Sequence, residues 1–84
     1  MTDDEVRRAV LACLAEVAPD ADLATLDPDA DLRREFDLDS MDVLNFVLAL
    51  HKSLGVSVPE SDYRRIVTLR GCVDYLLARL RPAG

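Results

Sequence analysis

This chain predicts an all-α fold: a small four-helix bundle of three main helices and one short one, with a long loop between the first and second helices. Three observations point there. Apolar residues recur at helical spacing in three stretches, about 3–17, 40–54 and 69–81. Half of the residues are apolar but only four are aromatic, two Phe and two Tyr, so the core is aliphatic, which favours packed helices over a β-sandwich. Pro19, Pro28, Gly55 and Pro59 fall between the periodic stretches. Eighty-four residues are expected to form one domain, 1–84, near the lower limit for a core without staples; such a chain buries roughly 60 to 65% of its unfolded surface.

In chain order, Thr2 caps the first helix, about 3–17, with Asp3, Asp4 and Glu5 in the turn where the helix dipole favours acids. Val6, Val10, Cys13, Leu14 and Val17 form its core stripe, and Pro19-Asp20 ends it. The connection 18–39 holds Pro19, Pro28 and seven aspartates. Leu23, Leu26, Leu32, Phe36 and Leu38 are dense enough to pin it to the bundle, with a short helical turn expected at 31–35. Long ordered loops in small domains tend to carry function. This one delivers Ser40.

From Met41 to Leu54 no proline or glycine intervenes and nine of fourteen residues are apolar, so the second helix spans about 40–54 with Ser40 at its N-cap. On a wheel of 100° per residue, Val43, Phe46, Val47, Leu50 and Leu54 share one face about 100° wide, the width of a core stripe. Met41, Leu44 and Leu48 fall on the far side, beside Asn45 and Lys52. Either the helix is buried all round or this second stripe is a docking surface. Gly55 then serves as C-cap, Val56 to Val58 reads as extended, and Pro59 opens the short helix, about 60–66. Thr68 caps the last helix, about 69–81, whose Leu69, Cys72, Val73, Leu76, Leu77 and Leu80 face the core while Arg79 and Arg81 complement its dipole. Pro82-Ala83-Gly84 is expected to fray.

The chemistry gathers in Phe36-Asp37-Leu38-Asp39-Ser40-Met41-Asp42, a serine at a helix mouth flanked by three carboxylates. A serine there commonly does no more than cap the helix. Three acids exceed what a cap or a dipole requires, so the residues leave a reactive hydroxyl open as the second reading. Formal charge is −6, unevenly spread. Residues 16–42 carry ten acids against Arg33 and Arg34, a balance of −8, whereas 43–84 carry three acids against six bases, a balance of +3. A negative field centred on Ser40 argues against nucleic acid and for a basic protein partner. Cys13 and Cys72 lie on core stripes and are expected to be reduced, buried thiols; packing of the first and last helices could bring them near one another, which the sequence leaves open. The acidic start, Met1-Thr2-Asp3-Asp4-Glu5, lacks the basic character of a targeting segment, and no apolar run is long enough to span a membrane, so a cytoplasmic protein is expected.

Around Asp39-Ser40-Met41 the chain resembles the acyl carrier proteins, whose Asp-Ser-Leu signature marks the serine that receives 4'-phosphopantetheine. The similarity runs upstream through Leu32 and Phe36 and downstream to Gly55, Val56-Ser57-Val58-Pro59 and Val73-Asp74-Tyr75-Leu76, nearly the whole chain. It implies a carrier rather than an enzyme. A phosphopantetheinyl transferase would move the arm from coenzyme A onto Ser40, and an acyl group would ride as a thioester on the arm's sulfur in fatty-acid, lipid or polyketide-type biosynthesis. It further implies that Asp39 helps hold the transferase's Mg²⁺. Asp37, Asp39, Met41, Asp42, Leu44, Asn45 and Leu48 would meet acyl-loading and acyl-processing enzymes through basic docking patches on those enzymes. No metal site, catalytic residue or membrane partner is implied, and a monomer is expected.

Departures from the family pattern bear on partner choice more than on modification. Asp37 stands where the family usually has glycine, Met41 follows the serine in place of leucine, and Asn45, His51, Lys52 and Ser53 replace acids usual along the second helix. A specialised pathway therefore stands beside housekeeping fatty-acid synthesis. A peptidyl or aminoacyl carrier would share the arm, but the glycine-rich lead into its serine is absent. A non-covalent helical module, with Ser40 only a cap, is the other alternative. A hydrolase is opposed by distance: His51 lies eleven residues beyond Ser40 on one helix, roughly 16 Å along its axis, against about 3 Å for a Ser-His hydrogen bond.

Overall fold

The first helix begins where its acids and Thr2 require. Thr2 Oγ1 accepts the Glu5 N–H at 3.2 Å and Glu5 Oε1 accepts the Thr2 N–H at 2.9 Å, a reciprocal capping box. The structure, a computed structural model, describes residues 1–80. Within them run α1 (Asp3–Val17), α2 (Leu32–Glu35), α3 (Ser40–Leu54) and α4 (Leu69–Leu80), with 3-10 segments at Leu23–Thr25 and Glu60–Ile66. Arg81 and the Pro82-Ala83-Gly84 end lie outside the described residues.

Helix α1 packs against α3 and α4, and α4 packs against the 60–66 segment. The buried faces are those the periodicity marks: Val6, Val10, Cys13 and Leu14 on α1, Phe46, Val47 and Leu50 on α3, and Leu69, Cys72, Val73, Tyr75 and Leu76 on α4. Val17, Val43, Leu54, Leu77 and Leu80 are only partly buried, at the ends or edges of their stripes. The far stripe of α3 is open, with Met41 60%, Leu44 39% and Leu48 54% exposed, whereas Leu50 is 0%. A helix buried all round is thereby excluded.

The connection between α1 and α3 is more ordered than a loop over 18–39 implies. Leu26, Leu32 and Leu38 are buried and Leu23 and Phe36 pack against the core, so its apolar residues do pin it. Asp31 caps α2, its carboxylate accepting the Arg33 N–H at 2.9 Å. The Leu32 N–H donates to the Val67 carbonyl at 2.7 Å and the Arg70 N–H to that of Pro28 at 3.0 Å, which stitches the connection to the entry of α4. The expected short helix at 60–66 is present in 3-10 form. Thr68 Oγ1 accepts the Gly71 N–H at 3.0 Å, as its predicted capping role requires.

One polar cluster had no sequence signal. Tyr75 Oη donates to Asp62 Oδ2 at 2.7 Å, and Arg79 Nη2 lies 3.2 Å from the same oxygen and 2.8 Å from the hydroxyl. The guanidinium carbons of Arg65 and Arg79 sit 5.0 and 5.1 Å from the Tyr75 ring centroid, both cation–π distances, and the Arg65 contact clamps the 60–66 segment to α4. The Tyr75 hydroxyl, with Arg65 and Arg79, holds the Asp62 carboxyl below its usual range. Both cysteines are free and buried. Burial pushes the Cys72 thiol up to about 12, with a further rise from neighbouring Cys13, so the pair is inert hydrophobic filling at neutral pH.

Candidate functional site

The first turn of α3 corrects one expectation. Asp39, not Ser40, is the N-cap: its backbone is extended (φ −88°, ψ −178°), its carboxylate accepts the Asp42 N–H at 2.8 Å, and the Asp42 carboxylate accepts the Asp39 N–H at 3.1 Å. A carboxylate caps as well as a hydroxyl, and only Asp39 has an acid three residues on to close the box. Ser40 is therefore the first helical residue, and its exposed side chain is released from capping. The same geometry assigns two of the three flanking acids a structural task. Asp37 alone, exposed, is surplus to the cap.

Asp37 also explains how the chain reaches Ser40. It is the one non-glycine residue with positive φ among those described, at 51°, and the Leu38 N–H donates back to the Arg33 carbonyl at 2.9 Å. This is the closing bond of a Schellman turn after α2, with Asp37 in the left-handed position that favours glycine and buried Leu38 behind it. The family's usual glycine at this position thus has a backbone reason, and an aspartate tolerates the same conformation at a cost. Asp37→Gly is expected to raise stability by about 1 kcal/mol, read from chemical denaturation. An unchanged or lower midpoint would show that the aspartate side chain offsets the backbone cost.

Two hollows meet beside Ser40. One, of about 360 Å³, is lined by Arg33, Ser40, Val43, Leu44, Glu60 and Tyr63. The other, about 210 Å³, shares Arg33, Val43 and Tyr63 and continues inward between Leu32, Leu38, Phe46, Ile66 and Val67, with Arg64 on its wall. Of the residues singled out in the sequence, Asp37, Asp39, Met41 and Asp42 surround Ser40 in the chain, and Leu44 lines its hollow. Asn45 and Leu48 are exposed further along α3. Arg33 comes from α2, just upstream of Ser40, and Glu60 and Tyr63 from the distant 60–66 segment; none of the three carries a periodic signal.

A phosphodiester fits this helix mouth. The hydroxyl of Ser40 is exposed, and the cap leaves the N–H groups of the first two helical residues for an anion, which the helix dipole favours. Residues 8–76 match the family described as phosphopantetheine attachment site, so the bundle is of the phosphopantetheine-bearing class. The chain is similar to acyl carrier protein 2 of Pseudomonas aeruginosa, 40% identical over 48 residues that make up 57% of this chain and 61% of that protein. It is also similar to the acyl carrier proteins of Campylobacter hominis, 32% identical over 73 residues (87% of this chain, 86% of that one), and Rubrobacter xylanophilus, 26% over 74 residues (84% and 91%). The chain belongs to the acyl carrier protein family. A covalently attached 4'-phosphopantetheine goes with that membership.

Proposed function

We propose that Ser40 carries the 4'-phosphopantetheine arm and that the protein presents acyl thioesters on it to a succession of enzymes. The observation that carries this reading is an exposed serine hydroxyl at the first position of α3, freed from capping by the Asp39–Asp42 box. The arm supplies the thiol on which acyl groups ride. A phosphopantetheinyl transferase would move it from coenzyme A onto the Ser40 oxygen, breaking the diphosphate and releasing adenosine 3',5'-bisphosphate, and Asp39 would help hold the transferase's Mg²⁺. Within the chain, Ser40 offers the nucleophilic oxygen and the capping box holds the turn rigid. Incubation with a transferase and coenzyme A should increase the intact mass by one arm. A chain that folds yet gains no mass with several transferases would count against the reading.

Met41, Leu44 and Leu48, with Asp37, Asp39, Asp42 and Asn45, form the proposed docking face for the transferase and for acyl-loading and acyl-processing enzymes. Its charge is asymmetric, since Asn45, His51, Lys52 and Ser53 leave α3 without a carboxylate after Asp42. Partners that bind near the arm are still steered by the acids around Ser40, while partners that need an acidic helix bind poorly. This supports a specialised fatty-acid, lipid or polyketide-type pathway. Changing Asn45 and Lys52 together to Glu is expected to leave the rate of arm transfer nearly unchanged and to improve acceptance by general fatty-acid ketosynthases and reductases, with the gain shrinking as salt rises. Equal service by the unmutated chain and those enzymes' own carrier would end the specialised-pathway reading. A monomer working in the cytoplasm completes the proposal; among the described residues no helix is long and apolar enough to cross a membrane.

A further inference from the structure

We infer that the inner hollow beside Ser40 selects a short acyl chain ending in a carboxylate, with Arg64 and Arg33 as the residues that read the anion. The inference rests on the carrier reading and names the class of cargo. An apolar cavity of about 150 Å³ takes a benzene ring. By proportion, the cleft's 210 Å³ accommodates about eight non-hydrogen atoms.

The charge of its walls is what separates an anionic chain from a neutral one. The protein has sixteen acids, and ten of them lie between residues 16 and 42, yet no acidic residue lines this cleft, whereas two arginines do. Glu60 faces only the outer hollow that holds Ser40. Arg33 borders both hollows and Arg64 borders the inner one alone, so an occupant that enters from Ser40 passes Arg33 first and has Arg64 within its own cleft. Arg8, Arg70 and Arg79 are engaged in ion pairs, but Arg33 and Arg64 form none among the described residues. Arginine stems do cover apolar surface for purely structural reasons. That role is indifferent to the far end of the chain. A guanidinium at the edge of an apolar cleft, by contrast, makes a charge-assisted, bidentate contact with a carboxylate that a terminal methyl cannot replace.

The test compares two six-carbon thioesters of N-acetylcysteamine, adipoyl and hexanoyl, which differ at the terminal carbon: carboxylate against methyl. Each is titrated into the unmodified protein and followed by amide shifts of Phe46 and Val67. Adipoyl is expected to bind at least about tenfold more tightly, the low end of the range for a hydrogen bond to a charged group. Arg64→Gln and Arg33→Gln, both at exposed positions, should erase the difference while hexanoyl binding stays as it was. Equal binding, tighter hexanoyl binding, or no binding of either overturns the proposal. A preference that survives both substitutions overturns the role of the arginines. The titration needs no arm, so failure to load Ser40 with the adipoyl preference intact would count against the carrier reading and leave the cleft's selectivity standing.

Discussion

Ser40→Ala is expected to abolish attachment of the arm altogether while leaving the fold intact, measured as intact mass after incubation with transferase and coenzyme A. Three other serines, Ser53, Ser57 and Ser61, are also exposed, so exposure alone does not select the site. They lie at the end of α3, in the extended segment after it and in the 3-10 segment, whereas Ser40 opens a helix where its own amide and that of Met41 are uncapped. The position of the cap makes this experiment clean. Were Ser40 the N-cap, alanine would cost roughly 0.5 to 2 kcal/mol. With Asp39 in that role, the change should fall within about 0.5 kcal/mol, as for other surface substitutions. Asp39→Ala makes a poorer control, because it opens the capping box and costs about 1 kcal/mol along with any effect on the transferase. An arm that still adds to Ser40→Ala, folded by circular dichroism, would sink the assignment.

Helical periodicity carried most of the fold because three stripes of aliphatic residues each demand burial on one side only. Phe46 and Leu50 were legible as core, and Met41 and Leu48 as surface, from a wheel drawn on α3 alone. What periodicity cannot encode is the competition between adjacent caps. Asp39 and Ser40 are both good N-caps, and the outcome turned on Asp42, three residues beyond Asp39, which closes a reciprocal pair. The surplus of acids read as favouring a reactive hydroxyl was for the same reason overcounted. Two of those acids hold the helix. Nor do the walls of the clefts follow from local pattern: Arg33, Tyr63 and Arg64 meet because Leu32 and Val67 share a backbone hydrogen bond that joins α2 to the end of the 60–66 segment. The Asp62–Tyr75–Arg79 cluster is similar, a junction of two elements whose residues look like an ordinary solvated face in either segment taken alone.

The two leucines of α3 two positions apart give the sharpest test of which face is core. Leu50 is fully buried in the core cluster, so Leu50→Ala removes three carbons from a packed interior and leaves a cavity, at a cost of about 2 to 5 kcal/mol. In a domain of this size each kcal/mol lowers Tm by roughly 4 to 8 °C, so the loss should be at least about 8 °C. Some of that cost could be recovered if neighbours collapse into the space, but Phe46 and Leu76 are themselves buried and have little freedom to move. Leu48 is 54% exposed, and alanine is at least as good a helix former, so Leu48→Ala should change stability by under about 0.5 kcal/mol. Its effect belongs elsewhere. If the open stripe meets partner enzymes, truncation removes contact that is equal in ground and transition states, and KM of an acyl-processing partner should rise while kcat stays the same. Thermal melts of both variants, with partner kinetics on the stable one, separate the two faces. Equal losses of Tm would mean that Leu48 is covered in solution, and an unchanged KM would remove the far stripe from the docking surface.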